Sequence, residues 1–184
     1  MKLITVSGPP SSGKTSVVIR TIEQLEHPER VMVVKFDCLS STDQERYRAG
    51  GIRAVTGLSG NQCPDHFYIT NVEDCVKQGE KEERSLLIVE SAGLCNRCAP
   101  HLKGCLAVCV IDNLSGINTP QKIGPMLKYA DIVVVTKGDI VSQSARSSGS
   151  RSGRPTREHR SSLSTASRDR GPSIYRGPGW RLRS

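Results

Sequence analysis

The chain has 184 residues, which suits one α/β domain with an adequate core and is too short for two of ordinary size. Its net charge of +8 is unevenly placed: residues 1–142 hold 16 Lys+Arg against 16 Asp+Glu, whereas residues 143–184 hold 10 Arg, two acidic residues and 11 Ser. The neutral portion gives no electrostatic ground for nucleic-acid binding, and no apolar run approaches the roughly 20 residues that span a bilayer.

In chain order, short runs rich in β-branched residues lie at 3–6, 31–36, 86–89, 106–111 and 132–135. Runs of this kind read as strands buried on both faces. Helical patterns fall between them, at about 14–26, 43–48 and 72–82, and a last helix starts with Thr119 as N-cap and Pro120 at the first position. Alternating β and α elements predict an open, doubly wound, mostly parallel sheet with helices on both faces. After Ser142 the apolar periodicity stops. The expected organisation is a globular domain over 1–142 and a Ser/Arg-rich disordered tail over 143–184.

Residues 8–15 read Gly-Pro-Pro-Ser-Ser-Gly-Lys-Thr, a complete G-x-x-x-x-G-K-[ST] phosphate loop between a strand and a helix. Gly8, Ser11, Ser12, Gly13, Lys14, Thr15 and Ser16 are the expected nucleotide contacts. Lys14 reaches the β- and γ-phosphates, and the Thr15 hydroxyl sits on Mg²⁺. Pro9 and Pro10 have no N–H, so the amides from Ser12 onward must do the holding. Carboxylates end two neighbouring strands: Asp37 after 31–36 and Glu90 after 86–89. Both are expected to complete the Mg²⁺ shell or position water, with Gly93, three residues beyond Glu90, sensing the γ-phosphate. Asp112 is a weaker candidate. Thr136-Lys137-Gly138-Asp139 is close to the Asn-Lys-x-Asp element that reads guanine. The Asp139 carboxylate would accept the N1–H and exocyclic amine that adenine lacks.

Seven cysteines in a chain expected in the cytoplasm suggest thiols or metal ligands rather than disulfides. Cys95 and Cys98 form a C-x₂-C pair directly after the Glu90–Gly93 stretch, and Cys63 and His66 stand three apart upstream. Thiolate and imidazole suit Ni²⁺, Zn²⁺ or an iron–sulfur cluster. Cys109 reads as strand core, Cys38 and Cys75 as packing residues, and Cys105 admits either role.

The order of these motifs resembles the HypB/UreG group of hydrogenase- and urease-maturation GTPases, with CobW-type metallochaperones as relatives, over about residues 2–141. The stretch 36–43 is similar to their Asn-Asp-x-x-x-x-x-Asp switch, 60–66 to their Gly-Gly-Cys-Pro-His metal segment with one residue inserted, and 90–93 to their Glu-Ser-Gly-Gly. The resemblance implies a cytoplasmic GTPase that dimerises on GTP and delivers nickel, or a similar metal, to a client metalloenzyme or accessory maturation protein. Nucleic acid and membrane are not expected partners. Thr136 stands where the family has Asn, and Cys95/Cys98 is richer in thiols than the family's single cysteine there. Beyond Ser142 the family's further strand, base-supporting loop and final helix are replaced by a sequence that reads as out of frame or unrelated, which would leave a sheet edge uncovered. Rival readings are an ATP-dependent kinase or ligase on the same fold, and a zinc or iron–sulfur carrier with a regulatory nucleotide site.

Overall fold

Strands that are apolar at every position need cover on both faces, and this sheet has it. The computed structural model describes residues 1–38, 42–92, 101–116, 118–139 and 173–176. Seven strands, β1 (Lys2–Ser7), β2 (Val31–Asp37), β3 (Arg53–Leu58), β4 (Leu86–Glu90), β5 (Leu106–Asp112), β6 (Ile132–Thr136) and β7 (Ser173–Arg176), form one sheet ordered β3-β2-β4-β1-β5-β6-β7. The first six are parallel; β7 pairs antiparallel with β6. Because β7 comes from the 143–184 segment, β6 has a neighbour on each side and the expected uncovered edge is not present there.

Two helices pack on one face. Val18 and Ile22 of α1 (Lys14–Ile22) and Tyr47 of α2 (Asp43–Ala49) close over Val6, Val31, Val33, Ile88 and Val110. The alternate residues of the same strands point the other way. Met32, Val34, Phe36, Leu87 and Val89 meet Tyr68 of α3 (Pro64–Lys81), and Cys109 meets Ile123 and Met126 beside α4 (Thr119–Lys122) and α5 (Gly124–Lys128). Cys109 is therefore core, as its strand position predicts, and Cys75 packs at the margin of the α3 cluster.

Three elements differ from the sequence expectation. β3 was not anticipated: at the sheet edge it pairs with β2 alone, so Arg-Ala-Val-Thr-Gly-Leu needs no continuous apolar run. Gly57 within it fits because an added Cβ would stand 2.7 Å from the Phe36 ring. α3 begins eight residues early, since Pro64 presets the first helical turn. The last helix is broken into α4 and α5 around Ile123, where Pro125 follows without an N–H, and its N-cap is Asn118 rather than Thr119.

Candidate nucleotide and metal site

The carboxyl ends of the parallel strands collect the motif residues, as open α/β sheets require. Where β1 ends, Gly8 has φ +141°, and a Cβ there would lie 2.0 Å from the Val110 carbonyl oxygen. Only glycine allows β1 to pass β5 this closely. The loop turns through Ser11 (φ 60°) and Gly13 (φ 90°) into α1. Gly13 is the N-cap and supplies no side-chain bond, and the Val17 amide, bonded to the Gly13 carbonyl at 3.0 Å, starts the helical ladder. The amides of Lys14, Thr15 and Ser16 precede that ladder, at the positive end of the helix dipole. Among the described residues, the Ser12 hydroxyl beside them is buried without a partner, and so is the Ser91 hydroxyl just beyond β4. This is a donor-rich cradle of the kind that takes a polyphosphate.

Lys14 is buried, and its ammonium donates to the carbonyls of Gly8 (3.0 Å) and Pro9 (2.8 Å). Burial pushes its pKa down to about 8, against the opposing pull of Glu90.

Glu90, the last residue of β4, has no exposed surface. Its Oε1 accepts from the Thr15 hydroxyl at 2.7 Å and the Lys35 ammonium at 3.0 Å, and its Oε2 accepts from the Tyr47 hydroxyl. Lys35 also pairs with Asp43, the first residue of α2, which is approached by the Thr15 hydroxyl and bonded by Arg46 at 3.0 Å. Arg46 in turn donates to the Ser16 hydroxyl at 2.9 Å, tying α2 to α1. Burial alone would lower the pKa of Lys35, but Glu90 and Asp43 outweigh it and raise it. Burial would likewise raise that of Asp43, and the bond from Lys35 is foremost among the effects that lower it. Burial, with Glu90 adding to it, drives the Tyr47 phenol far above its ordinary range. Both oxygens of Glu90 are thus committed to donors. With its hydrogen on Glu90, the Thr15 oxygen keeps lone pairs with which a hydroxyl can ligate a cation. Asp37 lies at the end of β2, half-buried, and accepts from the Cys38 amide at 2.8 Å. The carboxylate that joins Thr15 and Glu90 is Asp43.

The far side of the loop is held from β6. The Thr136 hydroxyl donates to the Ser12 carbonyl at 2.7 Å. Lys137, at φ 55°, crosses to the Ser11 carbonyl at 2.8 Å and to Asp112 at 3.3 Å. Asp112 therefore anchors this lysine; burial would raise its pKa, but Ser115 and Lys137 lower it. Asp139 follows, exposed.

Cys63 is the half-buried N-cap of α3, and His66 is exposed one turn along. Gly93, Cys95 and Cys98 lie outside the described residues, and among the described residues no group of three His, Cys, Asp or Glu is placed to hold a metal. The residue that resumes the described chain, His101, sits over β1: its Nδ1 is 2.9 Å from the Thr5 hydroxyl, and its Nε2 is 3.3 Å from the Met126 carbonyl. Burial lowers its pKa.

Lys35, Asp43 and Tyr47 were not singled out from sequence as site residues. A lysine inside the run Val-Met-Val-Val-Lys-Phe was the available signal, because a lysine in a strand buried on both faces requires carboxylate partners.

A family profile described as the CobW/HypB/UreG nucleotide-binding domain matches residues 2–162. An uncharacterized protein of Methanocaldococcus jannaschii, MJ0120, is 52% identical over 147 residues, covering 79% of this chain and 63% of its own length. The hydrogenase maturation factor HypB of Rhizobium leguminosarum bv. viciae is 32% identical, covering 72% of this chain and 44% of its own. The chain thus spans less than two thirds of either relative. HypB from Helicobacter pylori, solved in complex with nickel, superposes with a TM-score of 0.60 at 22% identity, covering 77% of this chain and 66% of that one. HypB from Archaeoglobus fulgidus gives 0.57 at 24%, with 73% and 65% covered. These likenesses establish the P-loop NTPase fold.

Proposed function

We propose that this chain, which belongs to the CobW/HypB/UreG family of nucleotide-binding domains, hydrolyses GTP and couples nucleotide state to the binding and hand-over of nickel or a similar metal. One observation carries the reading. The Thr15 hydroxyl is bonded to Glu90, and β4 leads from Glu90 straight into the stretch that bears Cys95 and Cys98. A change at the phosphate loop is thereby passed to the first thiol within five residues. The resemblance to nickel-insertion GTPases and the likeness to hydrogenase maturation factors support nickel as cargo, with Zn²⁺ as the alternative.

In this reading the amides of Lys14, Thr15 and Ser16 and the Ser12 hydroxyl bind the phosphates, and Lys14 leaves its loop carbonyls for the β/γ-phosphate oxygens. Thr15 and Asp43 would hold Mg²⁺, with Asp37 at the end of β2 as a further ligand, and Glu90 orients Thr15. Mg²⁺, when bound, neutralises charge developing on the phosphate oxygens. Asp139 accepts the guanine donors, Gly93 reports the γ-phosphate, and Cys63, His66, Cys95 and Cys98 take the cargo. A GTP-dependent homodimer in the cytoplasm, docking on a client metalloenzyme or accessory maturation protein, completes the proposal.

Equilibrium dialysis with Ni²⁺ and Zn²⁺, with and without a non-hydrolysable GTP analogue, tests the coupling. Metal affinity should change at least tenfold with nucleotide, and phosphate should be released from GTP in preference to ATP. Nucleotide-independent affinity would end the coupling; tighter ATP binding would favour the kinase or ligase reading.

A further inference from the structure

The Lys35 ammonium is the cation shared by both carboxylates of the nucleotide-free site. It is buried, lies 3.0 Å from Glu90 Oε1 and pairs directly with Asp43, while Thr15 approaches both carboxylates. Two carboxylates converging on a hydroxyl would, without it, form an oxygen site for any divalent ion. Such a site binds transition metals more tightly than Mg²⁺, following the Irving–Williams order. For a protein that handles Ni²⁺ or Zn²⁺ this is a hazard: the cargo ion would occupy the place reserved for Mg²⁺.

We propose that Lys35 excludes free divalent cations from the Thr15–Asp43–Glu90 cluster, so that a metal enters this site only together with a polyphosphate. The inference rests on the reading that this cluster serves Mg·nucleotide. Its physical basis is local. A buried ammonium, with Arg46 on Asp43 and Lys14 nearby, offsets the negative charge that would attract a lone ion, and a dication placed beside it meets repulsion in a low-dielectric setting. A nucleotide arrives with its own phosphate charge, which restores the balance and brings further ligands. Lys35 is a positioning residue here. It sets which species is admitted and needs no contact with the reacting atoms.

The experiment uses the full chain without nucleotide and Mn²⁺ as an oxygen-preferring probe, with free ion counted by electron paramagnetic resonance. Wild type should bind Mn²⁺ at this site at least tenfold more weakly alone than with GDP. Lys35→Met should gain one nucleotide-independent Mn²⁺ site, at least tenfold tighter than wild type, and Lys35→Met/Asp43→Asn should lose it. Folded Lys35→Met, checked by far-ultraviolet circular dichroism, that gains no such site overturns the proposal. If that variant does not fold, wild type alone decides: Mn²⁺ affinity without nucleotide within threefold of that with GDP, and lost in Asp43→Asn, overturns it as well. GTP binding by wild type is followed separately by calorimetry. Its failure, with the Mn²⁺ gain intact, removes the GTPase reading and with it the admission by polyphosphate, and leaves only the exclusion of free ions by Lys35.

Discussion

The Thr136 hydroxyl donates to the Ser12 carbonyl at 2.7 Å, which fastens the end of β6 to the phosphate loop of β1 two strands away. Thr136 also stands 3.6 Å from where a Gly13 Cβ would project. Thr136, together with Lys137, thus braces the loop from the end of β6.

Thr136→Val keeps the shape and removes that bond. A neutral hydrogen bond contributes about 1 kcal/mol net, so GTP and GDP should each bind roughly three- to tenfold more weakly, equally for both. Fluorescence titration with a labelled guanine nucleotide measures it. Unchanged affinity would show that Lys137, through its own contact with Ser11, suffices to hold the loop.

Tyr47→Phe removes the donor on Glu90 Oε2 and leaves that buried oxygen without its partner. A hydrogen bond to a charged group contributes roughly 1.5–3 kcal/mol, and the phenyl ring retains the packing against Val31, Val33 and Ile88. Urea denaturation of the nucleotide-free chain should register a loss in that range. A loss below about 0.5 kcal/mol would mean water replaces the phenol and Glu90 is less enclosed than its burial indicates.

Much of this arrangement was legible in the sequence and some was not, for identifiable reasons. The inner strands announced themselves because each needs apolar side chains on both faces, and the loop motif carried its own backbone geometry. β3 was hidden because an edge strand with one neighbour needs neither. The N-terminal half of α3 was hidden because Cys63-Pro-Asp-His66 reads equally as loop. Asp43 ends the 36–43 stretch that resembles the family's switch, but its place beside Thr15 and Lys35 is not written in that stretch. Its partner Lys35, and Glu90, the other carboxylate on that lysine, come from strands β2 and β4, and their meeting depends on register that no local pattern reveals.

Gly8→Ala should cost at least about 3 kcal/mol, the scale of severe overpacking with backbone strain. Its φ of +141° already disfavours a side chain, and the added carbon would meet the Val110 carbonyl at 2.0 Å, where backbone rather than a flexible side chain would have to move. Thermal unfolding of the nucleotide-free chain gives the answer. A shift of only a degree or two would mean the ends of β1 and β5 separate readily, and the loop would then be less fixed than its contacts suggest.

Lys14 makes phosphate binding depend on pH in a definite direction. Burial brings its pKa down to about 8 from an ordinary 10.5. Below about 8 it is an ammonium in both folded and unfolded chains, and the folded chain bears the full cost of burying it. Between about 8 and 10.5 the unfolded chain holds the extra proton, so stability rises with pH across that window. The shift corresponds to about 3 kcal/mol. Lys14→Met should therefore stabilise the nucleotide-free chain at pH 7, by less than that figure because the bonds to the Gly8 and Pro9 carbonyls are lost with it. The same variant should lose triphosphate binding by at least about a hundredfold, since charge-assisted contacts to phosphate go with the ammonium. In wild type, GTP affinity should be flat from pH 6.5 to 7.5 and fall towards tenfold per unit above 8, because binding then requires taking up a proton. Calorimetry in buffers of different ionisation enthalpy would detect that uptake directly. An affinity that holds level through pH 9, with no proton taken up, would place the lysine's titration well above 8 and remove the basis for the stabilisation by methionine.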